Sequence, residues 1–388
     1  MDKEKKENKF LTYLKKKENK FLTYLKALPK RWFITAFSGM AQGLFVTLIA
    51  GTILSQIAGW IGDNYIGNTL LYIANVAKSL MGAGIGVGIA HALGKNKLLI
   101  FSAAVAGMVG AFADGFIYGE TPNLMALTSG VPGNPIGAYI VTMLVVEIVQ
   151  LYAGKTKIDI VLIPFGVLLL TLGGVYIAWP FIQLIDLFAK LLVLAINAGE
   201  AVKVLVGILI AVVMGILLTM PTSSAAIWLS IARSDTALAN PEVFSIAAGA
   251  AVAGCAAHMI GFAVSSYREN GASGLIAQGI GTSMLQIPNV MKKPIIMLPQ
   301  IIASALSGLV AVLLNMRCTD VGGGMGTSGL VGLFGVIDAC KAYDIAIVNT
   351  VLGIVLCLFV IPALTAFVTS ELMRKKGWIA EGDMKLPE

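Results

Sequence analysis

Charged side chains are scarce in this chain. Only 13% of its 388 residues are charged and 57% are hydrophobic, with a mean hydropathy of +0.85. Soluble globular proteins carry about a quarter charged residues, so this composition excludes that class. The long apolar runs also lack the period-two alternation of a membrane β-barrel. Because continuous apolar runs satisfy their backbone groups in lipid as helices, we predict an all-α polytopic membrane protein.

Metal-binding and catalytic residue types are equally rare. The chain has two histidines, His91 and His258, and four cysteines without C-x-x-C spacing. Such cysteines are typical of small apolar packing residues and do not predict a metal site. No nucleophile, base and acid form a recognisable set, so neither intrinsic catalysis nor a cofactor is predicted.

The positive charge is confined to one end of the chain. Residues 1–31 carry the whole net charge of +7, and the remaining residues hold equal numbers of acids and bases. A basic tail beside a first membrane helix indicates the cytoplasmic side and contact with anionic lipid, not nucleic-acid binding. Within it, KKENKFLTYLK occurs twice, at 5–15 and 16–26, which predicts a basic amphipathic helix on the membrane surface. A recent duplication or a cloning artefact would give the same repeat.

Apolar runs predict ten membrane spans, at 33–57, 67–91, 98–118, 135–153, 158–179, 181–198, 203–219, 243–264, 294–316 and 344–370. The basic stretches GKNK (94–97), GKTK (154–157) and RKK (374–376) would share the cytoplasmic side, which places both termini there. The weakest of these spans is 181–198. Asp186 and Lys190 lie one turn apart in it and would pair on a surface-lying helix.

Three segments differ from ordinary spans. They are 219–235, 271–290 and 322–339, and each is too glycine-rich or short to cross yet too apolar for an aqueous loop. Each contains a Thr-Ser pair at its expected break, namely Thr222–Ser223, Thr282–Ser283 and Thr327–Ser328. Broken helices at membrane depth are tolerated where they line a cavity, and there they coordinate polar solutes. We therefore favour a solute cavity, with close helix packing as the alternative.

Several of these stretches resemble a known family. The motifs are GVPGNPIGAY (130–139), LTMPTSSAAI (218–227), KKPIIMLPQIIASALSG (292–308) and GMGTSGLVG (324–332). Together they resemble the membrane-embedded IIC component (EIIC) of the phosphotransferase system, and most closely its branch associated with perfringolysin regulator proteins. The resemblance runs from about residue 30 to 372.

The resemblance implies the glucose-lactose type of EIIC architecture in a bacterial plasma membrane. That architecture has ten spans, re-entrant hairpins, a homodimer and an elevator movement. It divides the chain into a cytoplasmic tail (1–31), a dimerisation domain (32–200), a substrate domain (201–373) and a second cytoplasmic tail (374–388). Coupled phosphorylation would require separate IIA and IIB proteins. The acidic signature of glucose-type members is absent, so their sugar-binding residues cannot be transferred.

Polar residues at membrane depth are the candidates for a solute site. His258 lies in mid-span and is the leading candidate. Asn134, between two prolines, suits a substrate contact or a helix cap equally. The full predicted substrate-binding set is His258, Glu269, Asn270, Thr222, Ser223, Ser224, Thr327, Ser328, Asn134, Gln286 and Asn289. Arg268 is expected at the cytoplasmic boundary and His91 at an interface, while Glu147 and Asp338 are candidates for ion coupling.

Three hypotheses follow for function. The first is a homodimeric permease for a small polar solute, most plausibly a carbohydrate or polyol. The second is a membrane sensor that binds the same ligand and reports to a regulator without transport. The third is a proton- or sodium-linked carrier that uses Glu147 or Asp338.

Overall fold

A computed structural model describes residues 27–117, 133–220 and 224–386. Helices joined by short turns make up these ranges, and no strand occurs within them. The all-α prediction is therefore confirmed. The repeat at 5–26 and the pair Thr222–Ser223 lie outside the described residues.

The N-terminal half consists of long apolar helices with short polar caps. Asn64 and Asn96 cap two of them by accepting backbone N–H groups at 2.9 and 2.8 Å, and Gly62, at φ +86°, ends the first. The helices are α1 (Ala27–Ile61), α2 (Tyr65–Ser79), α3 (Met81–Ala92), α4 (Lys97–Ala111), α5 (Ala113–Ile117), α6 (Pro135–Val149) and α7 (Asp159–Asn197).

The C-terminal half has shorter and more frequently interrupted helices. Turns of π- or 3₁₀-helix occupy Ala277–Gly281, Ser283–Gln286, Gly322–Gly324 and Ser328–Leu330. The helices are α8 (Glu200–Thr219), α9 (Ser224–Ala232), α10 (Asp235–Ala239), α11 (Pro241–Ser265), α12 (Tyr267–Ile276), α13 (Ile287–Lys292), α14 (Pro294–Leu313), α15 (Val331–Ala342) and α16 (Ile347–Lys375).

In the described ranges, six helices are long and apolar enough to cross a membrane, or seven if α2 and α3 form one span bent by 53°. Two shorter apolar helices, α4 and α6, cover other predicted spans. The predicted break between spans 158–179 and 181–198 is wrong, because α7 runs through Pro180 without interruption. A proline removes one helical hydrogen bond, and the rest of the backbone ladder keeps this helix intact. The Asp186–Lys190 pair does form, at 3.0 Å.

Glycines allow the N-terminal helices to touch backbone to backbone. A Cβ atom at Gly43 in α1 would collide with the carbonyl oxygen of Gly84 in α3. The same holds where Gly86 of α3 meets Ala103 of α4. Such small-residue contacts are how apolar helices approach closely in lipid, where hydrophobic burial gives no driving force between them.

In the C-terminal half, α8 and α11 run parallel. Ala211 lies beside Gly254, and four residues further along both helices Gly215 lies beside His258. Two parallel neighbours require the chain between them to return along their length, and α9 makes that return. Ser224 lies beside Gly324, and at the other end of α9 Arg233 pairs with Asp320.

Residues 318–340 make a second excursion along α11. The N–H of Cys318 bonds to Ser245 O at 3.0 Å, whereas Thr327 reaches Met259, almost four turns further along α11. Helix α15 then returns, since Gly335 O accepts from Thr319 N–H at 3.1 Å. We call α9 with Thr219 the first excursion and residues 318–340 the second. Thr219 and Thr327 bring them close to His258, and Arg233 and Cys318 lie towards the other end of α11.

Candidate functional site

The turning points of the broken segments meet at a buried polar cluster, which we call the His258 junction: Thr219, His258, Ser283 and Thr327. Thr219 Oγ1 lies 2.8 Å from His258 Nδ1 and 2.9 Å from Ser283 Oγ. Thr327 Oγ1 donates to Gly279 O at 2.5 Å, in the same segment as Ser283. All four side chains are fully or almost fully buried.

His258 has one nitrogen engaged and one without a partner. Its Nδ1 contacts Thr219, and its Nε2 has no hydrogen-bond partner among the described residues. A buried polar atom without a partner is destabilising, by about 1–3 kcal/mol, and such atoms mark sites where a ligand supplies the missing bond. A neutral imidazole both donates and accepts, which suits a hydroxyl-bearing ligand.

Two further predicted residues hold the excursions in place. Ser224 Oγ donates to Gly324 O at 2.8 Å and joins the start of α9 to the second excursion. Ser328 lies in the turn after Thr327, where its N–H donates to Met325 O at 3.0 Å. The Ser224 contact therefore joins the two segments, whereas the Ser328 contact closes a turn within its own segment.

Three predicted amide residues lie together against the C-terminal tail. With Gln278 they form what we call the amide cluster: Asn270, Gln278, Gln286 and Asn289. Asn270 and Gln286 each donate to Met384 O at 2.9 Å, and Asn289 donates to Lys385 O at 2.8 Å. In this structure the chain's own tail therefore occupies the amides that we predicted for a solute.

Residues 376–386 pack closely on this segment, although the sequence reads as a polar tail. Ile379 and Met384 are buried in an apolar cluster with Phe262, Val290 and Ile296. Lys293 Nζ also pairs with Asp383 at 2.7 Å. The tail thus covers the segment that contacts the His258 junction.

Glu269 lies beside this cluster but faces Arg374 of α16. The two side chains pair at 2.7 Å, with only 4% and 11% of their surfaces exposed. The neighbouring Arg268 pairs with Glu371 at 2.8 Å and is largely exposed. Glu269 therefore ties α12 to the last helix.

Two other predicted residues belong to the N-terminal half. Asn134 caps α6 by accepting the N–H groups of Ile136 and Gly137 at 2.9 and 3.3 Å, which is the helix-cap alternative. Glu147 pairs with Arg31 at 2.8 Å and bonds to Gln150, which in turn bonds to Lys95. The structure does not bring either residue to the His258 junction. His91, in contrast, is exposed near the end of α3.

Asp338 lies between the halves, in a cavity of about 190 Å³ that we call the seam. The side-chain amide of Gln56, in α1, donates to its carboxylate and accepts from Trp60 Nε1 at 3.2 Å. The other charged side chains of the seam are Lys78, Arg233 and Asp320. Gln56 lies about 38 Å along α1 from Arg31, so the seam and the Arg31–Glu147 pair are at opposite ends of the first helix.

The sequence did not single out several residues that the structure brings into these sites: Thr219, Gln278, Gln56, Lys78, Arg233 and Asp320. Thr219, Arg233 and Gln278 lie within or at the edge of the broken segments, so a search of those segments for every polar side chain finds them. Gln56, Lys78 and Asp320 carry no such signal, because their proximity depends on the packing of the halves.

One comparison with known proteins gives a match. A family model described as "Phosphotransferase system, EIIC" matches residues 34–386, which is most of the chain. No curated protein and no solved structure matches it.

Proposed function

The chain belongs to the phosphotransferase system EIIC family, the sugar permeases of that system, and we propose that it carries a carbohydrate through the His258 junction. One observation carries this proposal. Three interrupted segments meet at a buried histidine whose Nε2 has no partner among the described residues. Interrupted helices with free backbone groups are how membrane carriers bind polar solutes near the midplane.

The chemistry of the junction agrees with a hydroxylated solute. Thr219, Ser283 and Thr327 offer hydroxyls, and His258 offers a nitrogen of either polarity. Within the junction itself no side chain carries a fixed charge, which favours a neutral solute over an ion. We infer that sugar hydroxyls replace contacts such as the 2.9 Å Thr219–Ser283 bond when the solute binds.

For transport we propose that residues 201–373 move against residues 32–200, as in an elevator, within a homodimer. The excursions pack against α11 of their own half, so they would travel with it. Phosphorylation of the sugar would be done by separate IIA and IIB proteins. The mass of the protein in nanodiscs tests the dimer, and a monomeric mass would contradict that part of the proposal.

The test is solute binding and uptake by two matched variants. Purified protein in nanodiscs is screened by thermal shift against neutral sugars, polyols and sugar acids, and uptake is followed in proteoliposomes. His258→Ala should weaken binding of the stabilising sugar at least tenfold while melting normally. His91→Ala, an exposed histidine in α3, should bind as the parent does. If no sugar, polyol or sugar acid shifts the melting temperature, the carbohydrate assignment fails.

A sensor is the second candidate, and the docked tail favours it. The segment that holds Met384 through Gln286 also contacts Thr219 through Ser283. A solute at the junction would then change how tightly residues 376–386 are held. A regulator protein that contacts the tail would respond to that change. Sugar-dependent release of the tail in hydrogen exchange without any uptake would favour the sensor, and uptake that follows an imposed ion gradient would favour an ion-coupled carrier.

A further inference from the structure

The seam adjoins a second, larger cavity, and the two differ in character. We call the seam the polar chamber and its neighbour, of about 370 Å³, the apolar chamber. Thr319, Asp320 and Asp338 line both and form the wall between them. A molecule that reached from one chamber into the other would therefore lie against these three residues.

The polar chamber carries a balanced set of charges. Arg233 pairs with Asp320, Asp338 accepts from Gln56, and Lys78 adds a further cation. Two acids and two bases leave no net charge for an ion to neutralise, but they offer acceptors and donors in close proximity. Vicinal hydroxyl groups, each a donor and an acceptor, match that pattern.

An aromatic ring completes the polar chamber. Phe334 lines it and meets Trp60 edge to face, with ring centroids 5.2 Å apart. That contact fixes the orientation of the Phe334 ring. A chamber of about 190 Å³ with such a ring and four charged side chains suits a single sugar unit in size and chemistry.

The apolar chamber has a different lining. Away from the shared wall it is bounded mainly by carbon atoms, from Leu238, Pro241, Phe244, Ala339, Ala342 and the ring of Tyr343. An apolar cavity of about 150 Å³ is enough to hold a benzene ring. The chamber therefore has room for an apolar group larger than a methyl.

We propose that the two chambers together bind a glycoside, with its sugar in the polar chamber and an apolar or aromatic substituent in the apolar chamber. This inference rests on the proposed function, because it takes the solute to be a carbohydrate. It adds a second binding site, between the halves and at the bases of the two excursions, apart from the His258 junction. A free sugar fills only one chamber and binds weakly there.

The test compares glycosides that differ only in the substituent. The protein is held in nanodiscs prepared without glycoside detergents, since those would occupy both chambers. Methyl and phenyl glycosides of D-glucose and D-galactose, in both anomers, are titrated by calorimetry. For at least one sugar and anomer, the phenyl glycoside should bind at least tenfold tighter than the methyl glycoside.

Two variants and a control locate the site. Ala342→Leu enlarges an exposed side chain at the rim of the apolar chamber and should abolish the phenyl preference while methyl glycoside binding remains. Asp338→Asn should weaken both glycosides about equally. Ala201→Leu, an exposed alanine in the first turn of α8, should change neither affinity.

The outcomes separate this inference from the proposed function. Equal affinity for phenyl and methyl glycosides, or a phenyl preference that survives Ala342→Leu, overturns the inference. If free sugar is taken up into proteoliposomes at the same time, the proposed function stands without it. If neither free sugars nor glycosides bind or enter, both fail.

Discussion

The hydroxyl side chains at the breaks of the C-terminal half make contacts that differ from those of threonines within the N-terminal helices. In the N-terminal half, Thr47 and Thr52 each donate to a carbonyl of their own helix, at 2.7 and 2.8 Å. In the C-terminal half, Thr219, Ser224 and Thr327 bond to a different segment of the chain. Glycines bring backbones into contact in both halves, as at Gly43 against Gly84 and at Gly254 against Ala211.

This difference indicates which half handles the solute. Close backbone contacts are stiff, because two backbones that already touch cannot slide without a clash. Hydrogen bonds between hydroxyls exchange for bonds to a ligand at small net cost. Stiff glycine contacts occur in both halves, but the hydroxyls of Thr219, Ser224 and Thr327 join separate segments, as expected of a region that exchanges such bonds for a ligand.

The largest effect is expected at the buried ion pair of the C-terminal half. Glu269→Ala leaves Arg374 without its closest carboxylate, and loss of one partner of a buried pair costs about 3–5 kcal/mol. Thermal unfolding in nanodiscs measures the loss. Arg268→Ala, which breaks the exposed pair with Glu371 on the same two helices, should cost less than about 1 kcal/mol. Equal losses would show that burial does not distinguish the two pairs.

A glycine of the N-terminal half gives the next effect. Gly43→Ala places a Cβ against the Gly84 carbonyl, and overpacking of this kind typically costs about 1–3 kcal/mol. Gly59 lies in the same helix with nothing within 4 Å of an added Cβ, so Gly59→Ala is the matched control. It should be neutral or stabilising by up to about 1 kcal/mol, because alanine favours helix. A tolerated Gly43→Ala would show that the contact between Gly43 and Gly84 does not limit helix packing.

Threonine-to-valine changes compare the hydroxyls directly. Thr219→Val leaves His258 Nδ1 and Ser283 Oγ without this partner, which should cost about 1–2 kcal/mol and weaken sugar binding severalfold. Thr47→Val removes a hydroxyl that bonds only within its own helix, and stability should change by less than about 0.5 kcal/mol. Melting temperatures and calorimetric affinities check both. If Thr47→Val lowers the melting temperature as much as Thr219→Val does, the comparison between the halves is contradicted.

The smallest effect concerns the tail and its pH dependence. Burial alone would raise the pKa of Asp383, but hydrogen bonds from Lys293 and the Ala380 N–H, with the lysine charge, hold that pKa below its usual value. A carboxyl of this kind stabilises the folded state above the ordinary Asp pKa of about 3.9, and its contribution is lost as pH falls through the lower pKa.

Tail attachment should therefore be the same at pH 8 and pH 5. Asp383→Asn should increase hydrogen exchange of residues 376–386 by a factor of a few at both values, because half-exposed pairs contribute little. Glu381→Gln, at an exposed position of the same tail, is the control. Tail release between pH 8 and pH 5 in the parent protein would show that another group governs it.

Composition and periodicity predicted the all-α membrane fold and the irregular backbone of segments 271–290 and 322–339. Those signals are local, since they depend on apolar runs and on Gly, Ser and Thr in short windows. The roles of single polar residues are not local. Asn270, Gln286 and Asn289 meet the tail about a hundred residues later in the chain, and Asp338 meets Gln56 of the first helix. No window of sequence contains such pairs.

The break predicted between spans 158–179 and 181–198 was wrong for a similar reason. A window that covers 158–198 sees Pro180, Asp186 and Lys190 and predicts a break. In the structure Lys190 partners Asp186, and the N–H of Thr236 donates to that carboxylate at 2.8 Å. The acid is thereby satisfied within the helix and by a neighbour, so the helix need not end.

Helix α7 is unusually long and contacts both halves, which bears on the movement proposed for the C-terminal half. Its 39 residues extend about 58 Å, nearly twice the thickness of a hydrocarbon layer of about 30 Å. Along one stretch it packs on α4 and α6, and further on it holds the α10 N–H through Asp186. Helix α7 therefore contacts both halves of the molecule. The elevator movement proposed above would therefore have to bend α7 at Pro180 or break the contact between Asp186 and Thr236.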